Sequence, residues 1–227
     1  MVNKFHNMET INIKSAVLIT LLFCFSIPMY AQFAIGINGG YTNAKEDYGD
    51  VILPENAETT VNRFNIHATT YYIIDTYFSV GVEPGYTGRG AACVPGFFIP
   101  VFDTKYLLNY AELPILFKGS LPLFKNKIAL FGKVGIGTSF LVAAYEEQDD
   151  LFGDLPTARM KMPLDNNGVL NRWDYGIYNG AGLSYNLSKS QIYFAFDYYY
   201  GLADAEKYNT SKNRSFNFNL GYSIFLK

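Results

Sequence analysis

Large apolar and small polar residues alternate strictly through the last thirteen residues of the chain, SFNFNLGYSIFLK. Phenylalanine, leucine, tyrosine and isoleucine occupy every second position from Phe216 to Leu226, and Asn, Ser and Gly lie between them from Asn217 to Ser223. Successive side chains of a β-strand point to opposite sides, so this period of two predicts a strand whose faces meet different environments. The polar face consists of small residues, which suits a crowded polar interior better than open water.

The same alternation occurs in seven earlier segments, which brings the number of predicted strands to eight. These segments are FAIGINGGYT, RFNIHATTYYII, YFSVGVEPGYT, KYLLNYAELPILFKG, KIALFGKVGIGTSFLV, RWDYGIYNGAGLSYNL and QIYFAFDYYYGL. Pro84 falls on the apolar face of the third segment. Because proline is tolerated in sheets mainly at edges and bulges, a local bulge is expected there.

The connections between these segments alternate in length. Residues 75–76 and 188–190 form very short links, and residues 120–126 a moderately short one. The long connections comprise residues 43–60, 90–104, 144–171 and 203–211. Short turns at one end and long loops at the other are typical of a barrel inserted from one side. The sequence therefore predicts an all-β fold, an eight-stranded antiparallel up-and-down transmembrane β-barrel with short periplasmic turns and long extracellular loops.

The N-terminal segment has the pattern of a secretory signal peptide. Lys14 precedes a short apolar stretch that ends near Pro28, and the small residue Ala31 follows. A positive start, a short apolar stretch and a small residue before the cut are typical of a cleaved signal. We predict cleavage between Ala31 and Gln32, a signal peptide over residues 1–31 and a barrel domain over residues 32–227. Met8 is an alternative initiator.

Both cysteines are accounted for by this division of the chain. Cys24 lies in the apolar stretch of the signal peptide, which leaves Cys93 alone in the mature chain. A single cysteine cannot form an internal disulfide. The bulky Phe23 before Cys24 also argues against a lipid-modified cysteine.

Composition favours a membrane barrel over a soluble one. Aromatic residues make up 17% of the chain and charged residues only 17%. A secreted lipocalin-like barrel, the alternative, would turn the apolar faces inward around a ligand. Its outside would then consist of Gly, Ser, Asn and Ala, with few of the charges that keep a domain soluble. We therefore expect a bacterial outer-membrane protein surrounded by lipid and lipopolysaccharide.

The sequence carries no pattern typical of catalysis or of cofactor, metal or nucleic-acid binding. The mature chain has one histidine, His67, and one cysteine, so no catalytic residue and no cofactor is predicted. The glycines of GKVGIG lie in a predicted strand, which does not fit a phosphate loop. The acidic run YEEQDD lacks the ligand spacing of a calcium loop, and a solvated loop is favoured. A formal charge of −2 gives no reason to expect nucleic acid.

Several charged residues fall on the polar faces of the predicted strands. We expect a structural cluster in the lumen formed by Arg63, His67, Glu83, Glu112, Lys133 and Asp197. Lys133 is expected beside Glu112, with Glu83 one strand further along. Charges buried in a lumen that side chains fill must be paired. Such a cluster would plug the barrel and leave a scaffold with active loops.

Four stretches resemble the PorT-like outer-membrane β-barrel proteins of Bacteroidetes. They are the AQ at the predicted cleavage site, FAIGINGGYT, YAELPILFKGSL and NRSFNFNLGYSIFLK. The resemblance implies an outer-membrane location and an eight-stranded barrel.

Two functional classes remain open for such a barrel. One is a non-enzymatic structural or interaction scaffold, associated with a protein-secretion system, that contacts protein partners through extracellular loops or periplasmic turns. The alternative is a narrow, porin-like pore or a transport component.

Overall fold

The computed structural model describes residues 32–49, 58–93, 102–150, 156–165, 168–208 and 210–226. The predicted signal peptide and its cleavage after Ala31 lie outside these residues and stay predictions. Within the described residues, no helix is long and apolar enough to cross a membrane.

Eleven strands make up one antiparallel sheet. They are β1 (Gln32–Asp47), β2 (Glu58–Thr59), β3 (Val61–Ile73), β4 (Phe78–Val82), β5 (Gly85–Cys93), β6 (Phe102–Leu123), β7 (Ile128–Asp150), β8 (Ala158–Lys161), β9 (Trp173–Asn186), β10 (Ser190–Gly201) and β11 (Lys212–Leu226).

The sheet closes into a ring of eight strands, because β4 and β5 are two halves of one ring strand. Each ring strand pairs with the ring strands before and after it in sequence, and β1 pairs with β11 to close the barrel. The short strands β2 and β8 pair with β5 and β7 at the end of the barrel opposite Gln32 and Leu226. The predicted eight-stranded antiparallel up-and-down barrel is confirmed.

The predicted bulge at Pro84 is wrong. β4 and β5 pair with β3 in one continuous register, and they pair with β6 in one continuous register as well. Proline lacks the N–H that a ladder needs, so the strand is interrupted without an extra residue. The hydrogen bonds continue around it, from Glu83 N to Pro114 O at 3.1 Å and from Ala68 N to Pro84 O at 2.9 Å.

A bulge does occur between β6 and β7. Tyr110 pairs with Leu141, whereas the preceding Asn109 pairs with Ala143, so Val142 is the extra residue. Beyond it β7 leaves β9 and pairs with β8. Residues 144–150 and 158–161, which the sequence placed in a loop, are therefore strand. The β6–β7 hairpin thus continues past the end of the β7–β9 pairing.

The two faces of the ring strands differ as the alternation predicts. Large apolar side chains lie on the outside, with Ile136 and Leu220 65–66% exposed. Polar side chains lie inside, with Asn38 and Asn65 each 2% exposed. Apolar surface is unfavourable in water at roughly 25 cal/mol per Å². The outer face therefore requires a lipid environment, and the interior must be stabilised by polar contacts.

Glycine at position 40 allows β1 and β11 to approach closely, and this gives a testable prediction. A Cβ on Gly40 would lie 1.8 Å from the carbonyl oxygen of Phe218, whereas one on Gly119 would meet only a side-chain atom of Phe78, at 3.9 Å. We expect Gly40→Ala to lower the free energy of unfolding by about 1–3 kcal/mol through steric strain. Urea unfolding in lipid vesicles measures this, with Gly119→Ala as the control. Equal stability of both variants would contradict the packing described here.

Candidate functional site: the polar interior of the barrel

Every strand of the ring places at least one polar side chain in the barrel interior. The alternation of the strands sends these side chains inward, and the resulting contacts form two groups. We call them the Lys133 cluster (Lys133, Glu83 and Asp197) and the Arg89 cluster (Arg89, Glu112, Asp174 and His67).

Two carboxylates share the ammonium group of Lys133. Its Nζ lies 3.1 Å from Glu83 Oε2 and 3.1 Å from Asp197 Oδ2, and all three side chains are buried. The hydroxyl of Tyr71 donates a hydrogen bond to Glu83 Oε1 at 2.6 Å, and Asn219 Nδ2 donates one to Asp197 Oδ2 at 2.9 Å. The ion pairs thus join the β4–β5 strand to β7 and to β10 across the lumen.

The Arg89 cluster is centred on a guanidinium that is 1% exposed. Arg89 Nη2 pairs with Glu112 Oε2, and Arg89 Nη1 lies 3.2 Å from Asp174 Oδ2. The guanidinium also stacks on the ring of Tyr199, 3.7 Å from its centroid. A planar guanidinium suits both contacts, because it forms directed hydrogen bonds in its plane and stacks through its face.

Glu112 is the most heavily hydrogen-bonded carboxylate of the Arg89 cluster. Besides Arg89 it accepts hydrogen bonds from Thr87 Oγ1 at 2.6 Å and from the Tyr178 hydroxyl at 2.9 Å. His67 Nε2 lies 2.7 Å from Glu112 Oε1. A buried carboxylate is stable only with such partners, and here they come from β3, β5 and β9.

His67 and Asn38 connect the two clusters. His67 Nδ1 lies 3.2 Å from Asn38 Oδ1, and Asn38 Nδ2 donates to Glu83 Oε2 at 3.3 Å. The polar contacts therefore run without interruption from Arg89 to Asp197. Both ring nitrogens of His67 are engaged by these contacts.

Little space remains between these side chains. A cavity of about 20 Å³ lies between the clusters, and one of about 10 Å³ lies beside Lys133. A single water molecule needs at least roughly 10–15 Å³ of such space. At the level of the two clusters, the interior is thus filled by side chains, as expected for a ring of eight strands.

Five of the six side chains predicted in the lumen lie in this network: His67, Glu83, Glu112, Lys133 and Asp197. Their pairing differs from the predicted one. Lys133 binds Glu83 and Asp197, and Glu112 is paired with Arg89.

Arg63 does not join the network. Its guanidinium donates to Asn109 Oδ1, which also accepts a hydrogen bond from the hydroxyl of Tyr86. Tyr86 packs against the ring of Phe64, which is exposed on the outer face. A Cβ on Gly88 would lie 2.7 Å from Arg63 Nε, so the side chain of Arg63 lies over a strand position without a side chain.

Sequence reasoning missed Arg89 and Asp174. Arg89 lies six residues after Glu83, so both fall on the same face of a strand that keeps its register. The third predicted segment, YFSVGVEPGYT, ends at Thr87, so Arg89 falls outside it. Asp174 falls on the polar face of RWDYGIYNGAGLSYNL, and this alternation was the signal that could have identified it.

The structure also bears on metal binding. Among the described residues, no group of three or more His, Cys, Asp or Glu side chains is placed to hold a metal ion. In the acidic run, Asp149 pairs with Lys105 and Glu147 lies 3.5 Å from Arg159. These carboxylates are thus engaged with cations of the protein.

A family model described as the outer membrane protein β-barrel domain matches residues 28–207. The match covers most of the 227 residues, so the chain belongs to this family and is a β-barrel of the bacterial outer membrane. A search of curated proteins returned no match.

Several solved structures are similar to this chain. Ail of Yersinia pestis is 16% identical, with a TM-score of 0.41 over 86% of this chain and 100% of Ail. Neisserial surface protein A is 13% identical, with a TM-score of 0.45 over 85% of this chain and 96% of that protein. The outer membrane protein AlkL is 14% identical, with a TM-score of 0.49 over 87% and 90%. At these sequence identities and TM-scores, the similarities do not indicate a function.

The shared ammonium of Lys133 gives a prediction about stability. Lys133→Met removes the cation and leaves Glu83 and Asp197 buried close together. We expect the free energy of unfolding to fall by about 3–5 kcal/mol, the cost typical of breaking a buried ion pair. Urea unfolding in lipid vesicles measures the change.

Lys105→Met is the matched control, because the pair of Lys105 with Asp149 is about one-third exposed. Its loss is expected to cost about 0–1 kcal/mol. A Lys133→Met variant as stable as this control would show that the Lys133 cluster does not stabilise the barrel.

Proposed function

We propose that this member of the outer membrane β-barrel family is a closed, non-enzymatic scaffold whose long-loop end contacts partners outside the cell. The observation that carries the proposal is the continuous polar network from Arg89 to Asp197. It spans the lumen, and the cavities between its side chains measure about 20 and 10 Å³. A barrel filled in this way supports loops and does not conduct solutes.

The side chains available for chemistry support a role other than catalysis. His67 is 5% exposed, and its two ring nitrogens face Glu112 and Asn38. A general base must reach the proton that it removes from a substrate. In this barrel the imidazole is held inside the network, away from both openings.

A finer assignment is part of the same proposal. The stretches that resemble PorT-like proteins of Bacteroidetes support a role beside a protein-secretion system. The family match supports the outer-membrane barrel without distinguishing among its roles. Lipid and lipopolysaccharide would contact the apolar outer face, and protein partners the loops or the turns.

Planar-bilayer recordings test the closed lumen. We expect the wild-type protein to show no steady open-channel conductance. Lys133→Ala combined with Arg89→Ala removes one cation from each cluster, and we expect it to give conductance events. The control is Lys105→Ala combined with Arg159→Ala, which removes the same residue types from ion pairs on β6–β8. Steady wild-type conductance would favour the alternative, a narrow pore or transport component.

Cysteine labelling in intact cells tests which end faces outward. In a Cys93→Ser background, Tyr208→Cys lies near the long-loop end and Lys189→Cys in the short turn between β9 and β10; both native side chains are exposed. We expect a membrane-impermeant maleimide to label position 208 directly and position 189 only after the outer membrane is permeabilised. The opposite pattern would reverse the proposed orientation.

A further inference from the structure

The barrel interior holds a second lysine outside both clusters. Lys118 pairs directly across the sheet with Lys133, and it is 9% exposed. It lines a cavity of about 180 Å³ at the short-turn end of the barrel. We propose that this cavity binds a small oxyanion, a carboxylate or a phosphate, against the ammonium group of Lys118.

Within the described part of the chain, Lys118 has no ion-pair partner. Among the described residues, no carboxylate forms an ion pair with it, and no group accepts a hydrogen bond from its Nζ. The two carboxylates nearest in the network, Glu83 and Asp197, are already bound to Lys133. A buried charge normally has a partner, so an ammonium group that lines an open cavity is a suitable site for an anion from solution.

Aromatic rings hold the ammonium of Lys118 in position. Its Nζ lies 4.1 Å from the ring centroid of Phe131 and 5.5 Å from those of Tyr71 and Tyr193. Cation–π contacts stabilise the charge and restrict the side chain, yet they leave its hydrogen-bond donors unused. A preorganised cation loses less entropy when it binds a ligand.

Two hydroxyl groups lie on the same side of the sheet as Lys118. Ser79 pairs directly with Lys118 across β4 and β6, and Ser120 is two residues further along β6. Both line the cavity. Directly paired residues have Cβ atoms about 4.5–5.5 Å apart, so Ser79 and Lys118 leave the sheet side by side on the wall of this cavity. Such a set of donors matches the several oxygen acceptors of a carboxylate or phosphate.

The carboxylate in the lining does not compete for Lys118. Asp75 Oδ1 accepts hydrogen bonds from the backbone N–H groups of Tyr77 at 2.6 Å and Phe78 at 2.8 Å. It is thus engaged by its own turn. Behind Lys118, the cavity of about 10 Å³ beside Lys133 is too small for an oxyanion. The cavity of about 180 Å³ is therefore closed on the side of Lys133, and a bound anion would leave by the opening through which it entered.

Isothermal titration of the purified barrel in zwitterionic detergent tests the site, with inorganic phosphate and acetate as probes. We expect saturable binding of at least one probe by the wild type. Lys118→Gln should weaken this binding at least tenfold. Lys189→Gln, which removes an exposed lysine at the same end, should leave it unchanged. Chloride at equal concentration should not displace the probe.

The proposal is overturned if the wild type binds neither probe saturably, if Lys118→Gln binds as tightly as the wild type, or if chloride competes equally. Heat-modifiable migration on gels establishes that each variant is folded. Should Lys118→Gln fail to fold, Ser79→Ala combined with Ser120→Ala keeps the charge and removes two donors. That variant should bind several-fold more weakly, and unchanged affinity would equally overturn the proposal.

Discussion

The structure depends on the pairing of charges inside a ring whose interior also holds small clusters of buried apolar side chains, such as Leu108 with Tyr110 and Leu141. An isolated charge is costly to bury, so the charges of the two clusters are paired with side chains from other strands. Lys133 is paired with Glu83 and Asp197, and Arg89 is paired with Glu112 and Asp174. The apolar side chains of the same strands are left for the lipid. The need to pair buried charges thus accounts for the polar inner face and leaves an apolar outer face. The alternation of the sequence follows from these two faces.

Much of the fold could be predicted because the period of two reports the local environment of each strand. It identified all eight ring strands, including the one that Pro84 divides. The alternation could not give the strand lengths beyond the apolar band. Beyond Val142, β7 pairs with β6 and β8. The residues of this part of the hairpin no longer separate into an apolar and a polar face. Residues 144–150 therefore resembled a loop.

The sequence predicted most of the residues that lie in the interior site, but it did not predict which of them form ion pairs with one another. Alternate residues of a strand face opposite sides, so the position of a residue along its strand decides whether it faces the lumen. This placed Lys133 and Glu112 inside. Which side chains meet depends on the stagger between strands and on side-chain length. Arg63 shows a further limit, because its long side chain lies over Gly88 and reaches Asn109 on β6. The position of a residue along its strand does not fix where a long flexible side chain ends.

The ion pairs of the network also constrain how the barrel can assemble. The pairs Lys133–Asp197 and Arg89–Asp174 each join residues that are far apart in the sequence, and Asn213 and Asn219 on the last strand complete the carboxylate contacts. A partly formed sheet in a bilayer would carry these charges with some partners still missing. Non-local contacts of this kind stabilise the chain only late in folding, after the entropy of closing long loops has been lost. Membrane insertion should therefore be cooperative, with the final strand supplying the amide donors of Asn213 and Asn219 as it closes the ring.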